Sequence, residues 1–326
     1  MLRRTALVIA LLATACGSGG AVDSTPSSTS TAPSSPAIAS STTTEALPPA
    51  FVGADGAESV VDDTSRIVTL SGDLTEMVFA LGFGASVVAT DVTTVYPPEA
   101  VGLPVVGVGR FLTAEGVLAE NPTLVIGDTQ TSPLGTIEQI RSAGVPVVIL
   151  EVPTTFDGLY LKIGQLGEVL GVRSQATALI DRVRTDIEEA LSTAPGFDPA
   201  PGLAFVYSRG PDVMLLFGSE MTTQPLIEAV GGVDVGAAAG VVGTVSITPE
   251  ALVAAAPDVI IITSEGLDAL GGIEGLLAIP GFAETPAGRD RRILDYPEGD
   301  ILTFGPRIAG TLALLIQDLR RELGDS

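Results

Sequence analysis

Two spacings of apolar residues alternate along this chain. Short unbroken runs rich in β-branched residues occur at Arg66–Leu70 (RIVTL), Val87–Ala89, Val105–Val108, Leu124–Ile126 and Val147–Leu150. Runs without in–out alternation suit strands covered on both faces, as in a parallel sheet. Between them lie stretches with helical character, Leu74–Leu81 and Leu134–Ala143. Asp73 precedes the first, and Glu76 three residues on completes a capping-box pattern, so both acids read as a helix cap. This α/β lobe is assigned to residues 63–156.

A helical region follows at 157–195. Gly158–Leu170 ends at Gly171, and Arg173–Leu191 carries apolar residues at Ala176, Leu179, Ile180, Val183, Ile187 and Leu191, a single stripe. Pro195, Pro199 and Pro201 stop it. The strand pattern then resumes over 196–326, at Leu203–Tyr207, Met214–Phe217, Val259–Ile262 and Ile293–Asp295, with a last helix over Pro306–Leu323. Asp295, Glu298 and Asp300 read as a solvated loop. The pattern predicts two Rossmann-like α/β lobes joined by one long backbone helix, with a ligand cleft between the lobes.

A repeat supports two related lobes. Leu112–Ile126 (LTAEGVLAENPTLVI) and Ile247–Ile261 (ITPEALVAAAPDVII) match at a constant offset, Glu115 on Glu250 and Pro122 on Pro257. Each reads as helix start, short helix, proline break and buried strand. Thr113 and Thr248 stand as N-caps, which puts Glu115 and Glu250 in first helical turns, where negative charge is favourable by about 0.3–1 kcal/mol. That stabilisation does not require the same acid twice. Two like carboxylates at two lobe tips suit two symmetric arginine sites on a dimeric partner.

Composition narrows the chemistry. The 326 residues carry 16 Lys+Arg against 39 Asp+Glu, a formal charge of −23, and Lys162 is the only lysine. Such a surface repels nucleic acid and anionic membranes. No histidine is present and Cys16 is the single cysteine. Ser-His-Asp and Cys-His catalysis, His- or Cys-ligated zinc and intrachain disulfides are thereby excluded. The expectation is a binding protein, not an enzyme. A metal would need oxygen donors, carboxylates or the phenols of Tyr96, Tyr160, Tyr207 and Tyr296.

The N-terminus reads as an address. Basic residues at Arg3 and Arg4 precede an apolar stretch at 5–15 that is too short to span a bilayer, ending Ala13-Thr14-Ala15-Cys16. This resembles a bacterial lipobox, with Ala13 where Leu, Val or Ile is usual, and predicts a signal over 1–16 with lipidation at Cys16. Residues 17–62, rich in Ser, Thr and Pro through their first two-thirds, read as a disordered tether.

In open α/β sheets, ligands bind beyond the carboxyl ends of the strands. Tyr96, Arg110, Tyr207, Arg209 and Tyr296 all fall at or beyond the exits of predicted strands, in a chain only 4% aromatic. The first four are candidate ligand contacts; Tyr296 is the weakest of the set.

The segments Arg66–Val88 (RIVTLSGDLTEMVFALGFGASVV), Tyr96–Ala100 (YPPEA), Leu103–Glu115 (LPVVGVGRFLTAE), Ala287–Arg289 and Phe304–Pro306 resemble haem-binding lipoproteins of bacterial ABC importers, within the helix-linked cobalamin- and siderophore-type binding proteins. The resemblance covers nearly all of 65–323. It implies haem as transported ligand, no catalytic cofactor, a monomeric extracytoplasmic lipoprotein, and delivery to an ABC permease dimer with a cytoplasmic ATPase. It also implies that Tyr96 or Tyr207 is the axial ligand of haem iron. Arg110 falls at a cleft position that is Arg or His in relatives, and Arg209 resembles an arginine that bonds the ligating tyrosine. Glu115 and Glu250 are implied to dock on permease arginines. Relatives often carry Tyr-Lys-Pro-Leu-Ser before the second glutamate, where this chain has Thr244–Thr248 (TVSIT). A ferric siderophore or corrinoid is the alternative ligand.

Overall fold

The structure is a computed structural model that describes residues 50–324; the signal segment, Cys16 and most of the tether lie outside the described residues. Strands β1 (Phe51–Val52) and β2 (Glu58–Ser59) form a small hairpin. It is tied to the first lobe: Ala54 N–H donates to the Ile149 carbonyl, the Ser59 hydroxyl donates to the Val147 carbonyl, and Phe51 and Val61 are buried. The end of the predicted tether, from residue 50 on, is therefore ordered structure. Its apolar residues are too few to show a period in the sequence.

The first lobe is an all-parallel sheet of β3 (Ile67–Thr69), β4 (Val87–Ala89), β5 (Leu124–Asp128) and β6 (Val147–Leu150), in the order β4-β3-β5-β6. All but one of their residues are buried, as the unbroken runs predict. Helices α1 (Gly72–Ala80), α2 (Ala114–Leu118) and α3 (Leu134–Ser142) alternate with the strands. Val105–Val108 is not a strand. Val105 makes one isolated bridge to Thr90, and Gly107 at φ 130° turns the chain away from an extended course.

The link is built from α4 (Phe156–Val169) and α5 (Arg173–Leu191), with Gly171 in the left-handed region between them. A Cβ on Gly167 would sit 2.2 Å from that of Ala176, so α4 and α5 approach as closely as they do because residue 167 is glycine. The apolar stripe of α5 is buried at Ala176, Leu179, Val183 and Ile187. The last helix, Ile308–Leu323, packs on α5 through Leu312, Leu315, Ile316 and Leu319. One apolar core runs from Ile67 and Ile126 through these helices to Phe205 and Ile261. Each leucine-sized side chain in it contributes about 1.5–3 kcal/mol of burial.

The second lobe is a mixed sheet of β7 (Gly202–Ser208), β8 (Met214–Phe217), β9 (Val233–Asp234), β10 (Thr244–Ser246), β11 (Val259–Thr263) and β12 (Ile293–Tyr296). The order is β10-β8-β7-β11-β12, with β9 also beside β7. Strands β7, β11 and β12 are parallel, and β8 and β10 extend the sheet antiparallel.

Candidate functional site

The carboxyl ends of both sets of parallel strands face a cleft of about 670 Å³, a size typical of small-molecule sites. The first lobe supplies the residues after β3, β4, β5 and β6, including Ser71, Asp73, Asp91, Thr93, Asp128 and Thr131. The second supplies Tyr207, Arg209, Phe217, Glu265, Glu298 and Phe304.

The first wall is acidic, and its charge is answered from within. Asp73 Oδ2 lies 2.6 Å from Lys162 Nζ, and Asp128 lies 3.8 Å from the same nitrogen. Lys162 is 1% exposed and reaches the wall from inside α4. Asp73 is no N-cap: Ser71 holds that position, and Asp73 in the first turn of α1 is used for this ion pair. Burial pushes Asp128 up against the opposing pull of Lys162. Asp91 accepts from the Thr93 amide at 3.1 Å and the Thr93 hydroxyl at 2.7 Å, yet burial still raises it to about 6.

The second wall brings aromatic rings and an arginine together among glutamates. Tyr207, on β7, stacks on Phe217 with centroids 6.0 Å apart. The Arg209 guanidinium lies 4.7 Å from the centroid of Tyr207. Its Nη2 donates to both Glu298 oxygens, at 2.8 and 2.6 Å. Phe304 stacks on Phe156 at the start of α4, centroids 5.5 Å apart.

Tyr207 and Arg209 thus meet in the cleft. Tyr96 does not line it, although its neighbour Val95 does. Tyr96 is 39% exposed, and the Arg307 guanidinium covers its ring at 4.1 Å. Arg307 in turn donates to Glu76 at 2.7 and 3.0 Å and to Asp300 at 3.0 Å. Glu76 is 5% exposed, and desolvation lifts it to about 7 in spite of the arginine. This cluster bridges α1 and the second lobe, so the reading of Glu76 as a cap is corrected. Asp300 and Glu298 are paired with arginines, and Asp295 accepts from the Ser264 hydroxyl, so that loop is not merely solvated.

Arg110 stands in the short turn Gly109–Phe111, whose first residue lines the cleft. Tyr296 is buried, its hydroxyl donating to Asp318 at 2.8 Å, and burial pushes that phenol upward. It is a core residue. Glu115 and Glu250 are exposed in the first turns of their helices, where Thr113 accepts from Gly116 N–H and Thr248 from Ala251 N–H, as expected. Among the described residues no cluster of three or more His, Cys, Asp or Glu side chains is placed to hold a bare metal ion. Sequence reasoning missed Lys162, Asp91 and Asp128, and took Glu298 for part of a solvated loop. Of these, only Lys162 carried a signal, as the sole lysine.

Comparison with known proteins places this architecture. The apo form of the periplasmic haem-binding protein RhuT from Roseiflexus sp. RS-1 is 41% identical, with a TM-score of 0.76 over 80% of this chain and 99% of its own. The haem-binding protein HmuT is 34% identical, with a TM-score of 0.80 over 84% of this chain and 91% of its own. An uncharacterised ABC transporter substrate-binding lipoprotein of Bacillus subtilis, YvrC, is 25% identical over 254 residues, 77% of this chain and 78% of that protein. Vitamin B12-binding proteins match over a shorter stretch, less than half their length. Residues 67–299 match the periplasmic binding protein family, and the chain belongs to it.

Proposed function

We propose that this protein is the extracytoplasmic receptor of an ABC importer, capturing haem in the interlobe cleft with Tyr207 as axial ligand of the iron. The carrying observation is the meeting of Tyr207 and Arg209 at the exit of β7, facing a cleft of about 670 Å³. Phenolate is a hard oxygen donor suited to ferric haem. Phenols ionise near pH 10 when unperturbed, so ligation needs the iron and a nearby cation to favour the phenolate. Arg209 supplies that cation, and its planar fork also matches a propionate. HmuT has been solved with a tyrosine, the arginine two positions after it, and a histidine each replaced by alanine. Tyr207 and Arg209 have the same spacing, whereas this chain has no histidine. The cover of Arg307 over Tyr96 makes Tyr96 the second candidate.

In this reading Cys16 anchors a monomer to the membrane, and Glu115 and Glu250 dock on permease arginines. Arg110 contacts the ligand from the first lobe. Titration with hemin tests the reading: one saturating equivalent with a shifted Soret band is expected. The matches to vitamin B12-binding proteins favour one alternative, a corrinoid. Saturable binding of cobalamin with no hemin response would establish it instead.

A further inference from the structure

Arg209 already holds a carboxylate. Glu298 receives both hydrogen bonds from its Nη2, and both residues line the cleft. The position of Glu298 is fixed in turn, its backbone N–H donating to Glu265 Oε2 at 2.9 Å as it opens the helix Glu298–Ile301. The pair is open to water, with side-chain exposures of 47% for Arg209 and 29% for Glu298. An incoming carboxylate therefore reaches the guanidinium without unfolding anything. The local surroundings limit how firmly Glu298 is kept: Glu265 and Glu220 line the same cleft, so a third acid there adds like-charge repulsion. A dianionic ligand faces that repulsion too, and its best countercharge on this wall is the one Glu298 occupies.

We propose that Glu298 stands in for a ligand carboxylate on Arg209 and is displaced when a propionate-bearing macrocycle binds, which sets the affinity of the cleft and its preference for ligands with a free carboxylate. The proposal rests on the haem reading above. The exchange is balanced, one carboxylate leaving the guanidinium as another takes its two hydrogen bonds. A ligand without a carboxylate cannot make this trade and leaves the internal pair closed.

Hemin and hemin dimethyl ester, titrated against the wild type, Glu298→Gln, Arg209→Ala and the double variant, test it. With Glu298→Gln, hemin is expected to bind about fivefold more tightly, the scale of an exposed ion pair. The diester should change by less than about twofold, because it never competed for Arg209. In the Arg209→Ala background the gain should vanish, since the interaction it reports is absent. A gain that persists without Arg209, or that is equal for the diester, would mean that Glu298 acts only through its charge on the whole cleft, and would overturn the proposal. So would unchanged or weaker hemin binding by Glu298→Gln. Hemin bound by none of the four proteins would remove the haem reading and this inference together. Hemin bound by the wild type with no gain in Glu298→Gln would remove this inference alone.

Discussion

The two lobes share the repeated helix-to-strand segment, yet their walls on the cleft are chemically opposed. In the first lobe, Asp73 and Asp128 are answered by buried Lys162, and Asp91 is held by Thr93 and raised toward neutrality by burial. These charges are spent inside the protein. In the second lobe, Tyr207 and Arg209 stand on a strand exit, and Glu298, the partner of Arg209, is 29% exposed. The repeat preserves what faces outward, an N-cap threonine and an exposed glutamate in each lobe. It does not preserve the strand exits. In the proposed haem reading, Asp73, Asp91 and Asp128 of the first wall serve the architecture, while Tyr207 and Arg209 of the second carry the ligand chemistry.

The largest effect that would break this division is on stability. Lys162→Ala leaves the part-buried Asp73 and the buried Asp128 without their shared cation and should cost about 3 kcal/mol in urea unfolding, whereas Arg209→Ala should cost no more than about 1 kcal/mol. Similar losses from both would erase the distinction. For hemin affinity the order should reverse. Arg209→Ala is expected to weaken binding about tenfold, the scale of a lost charge-assisted hydrogen bond, as read by the Soret titration.

The bridging cluster gives a pH dependence. Burial lifts Glu76 from 4.5 to about 7 and Asp91 from 3.8 to about 6. Between those limits the folded state holds more protons than the unfolded one, so stability falls as pH rises through that window. The unfolding free energy from urea titration should therefore increase on going from pH 8 to pH 5.5, by about 2–3 kcal/mol in total, and Glu76→Gln should flatten the change. An increase in stability toward alkaline pH would contradict the burial of these acids. The smallest effect on binding belongs to the outward glutamates. Replacing Glu115 and Glu250 together should leave hemin Kd within about twofold while stopping uptake in cells. A large loss of affinity would move them into the cleft chemistry.

The order of elements was legible because it depends on local spacing. Buried runs such as Leu124–Ile126 and Val259–Ile262 announce strands, and Thr113 and Thr248 announce helix starts. Val105–Val108 has the same composition but makes only one bridge and a few backbone hydrogen bonds to Thr90 and Val92, short of a strand ladder, and pairing is not written in a run's own residues. Asp73 and Glu76 resembled a cap because sequence reading weighs neighbours three or four apart. Their partners, Lys162 and Arg307, lie 89 and 231 residues away. The same limit hid the Arg209–Glu298 pair, 89 residues apart, and left the axial ligand open between Tyr96 and Tyr207. Only the fold separates them, by turning one toward the cleft and covering the other with Arg307.

That separation is the most direct point of attack. The ferric hemin complexes of the wild type, Tyr207→Phe and Tyr96→Phe can be compared by visible absorption, following the phenolate-to-iron charge-transfer band. Loss of the band in Tyr207→Phe, with about a hundredfold weaker binding and little change in Tyr96→Phe, is the predicted result. A band that survives in Tyr207→Phe and disappears in Tyr96→Phe would contradict the assignment of the ligand chemistry to the second lobe.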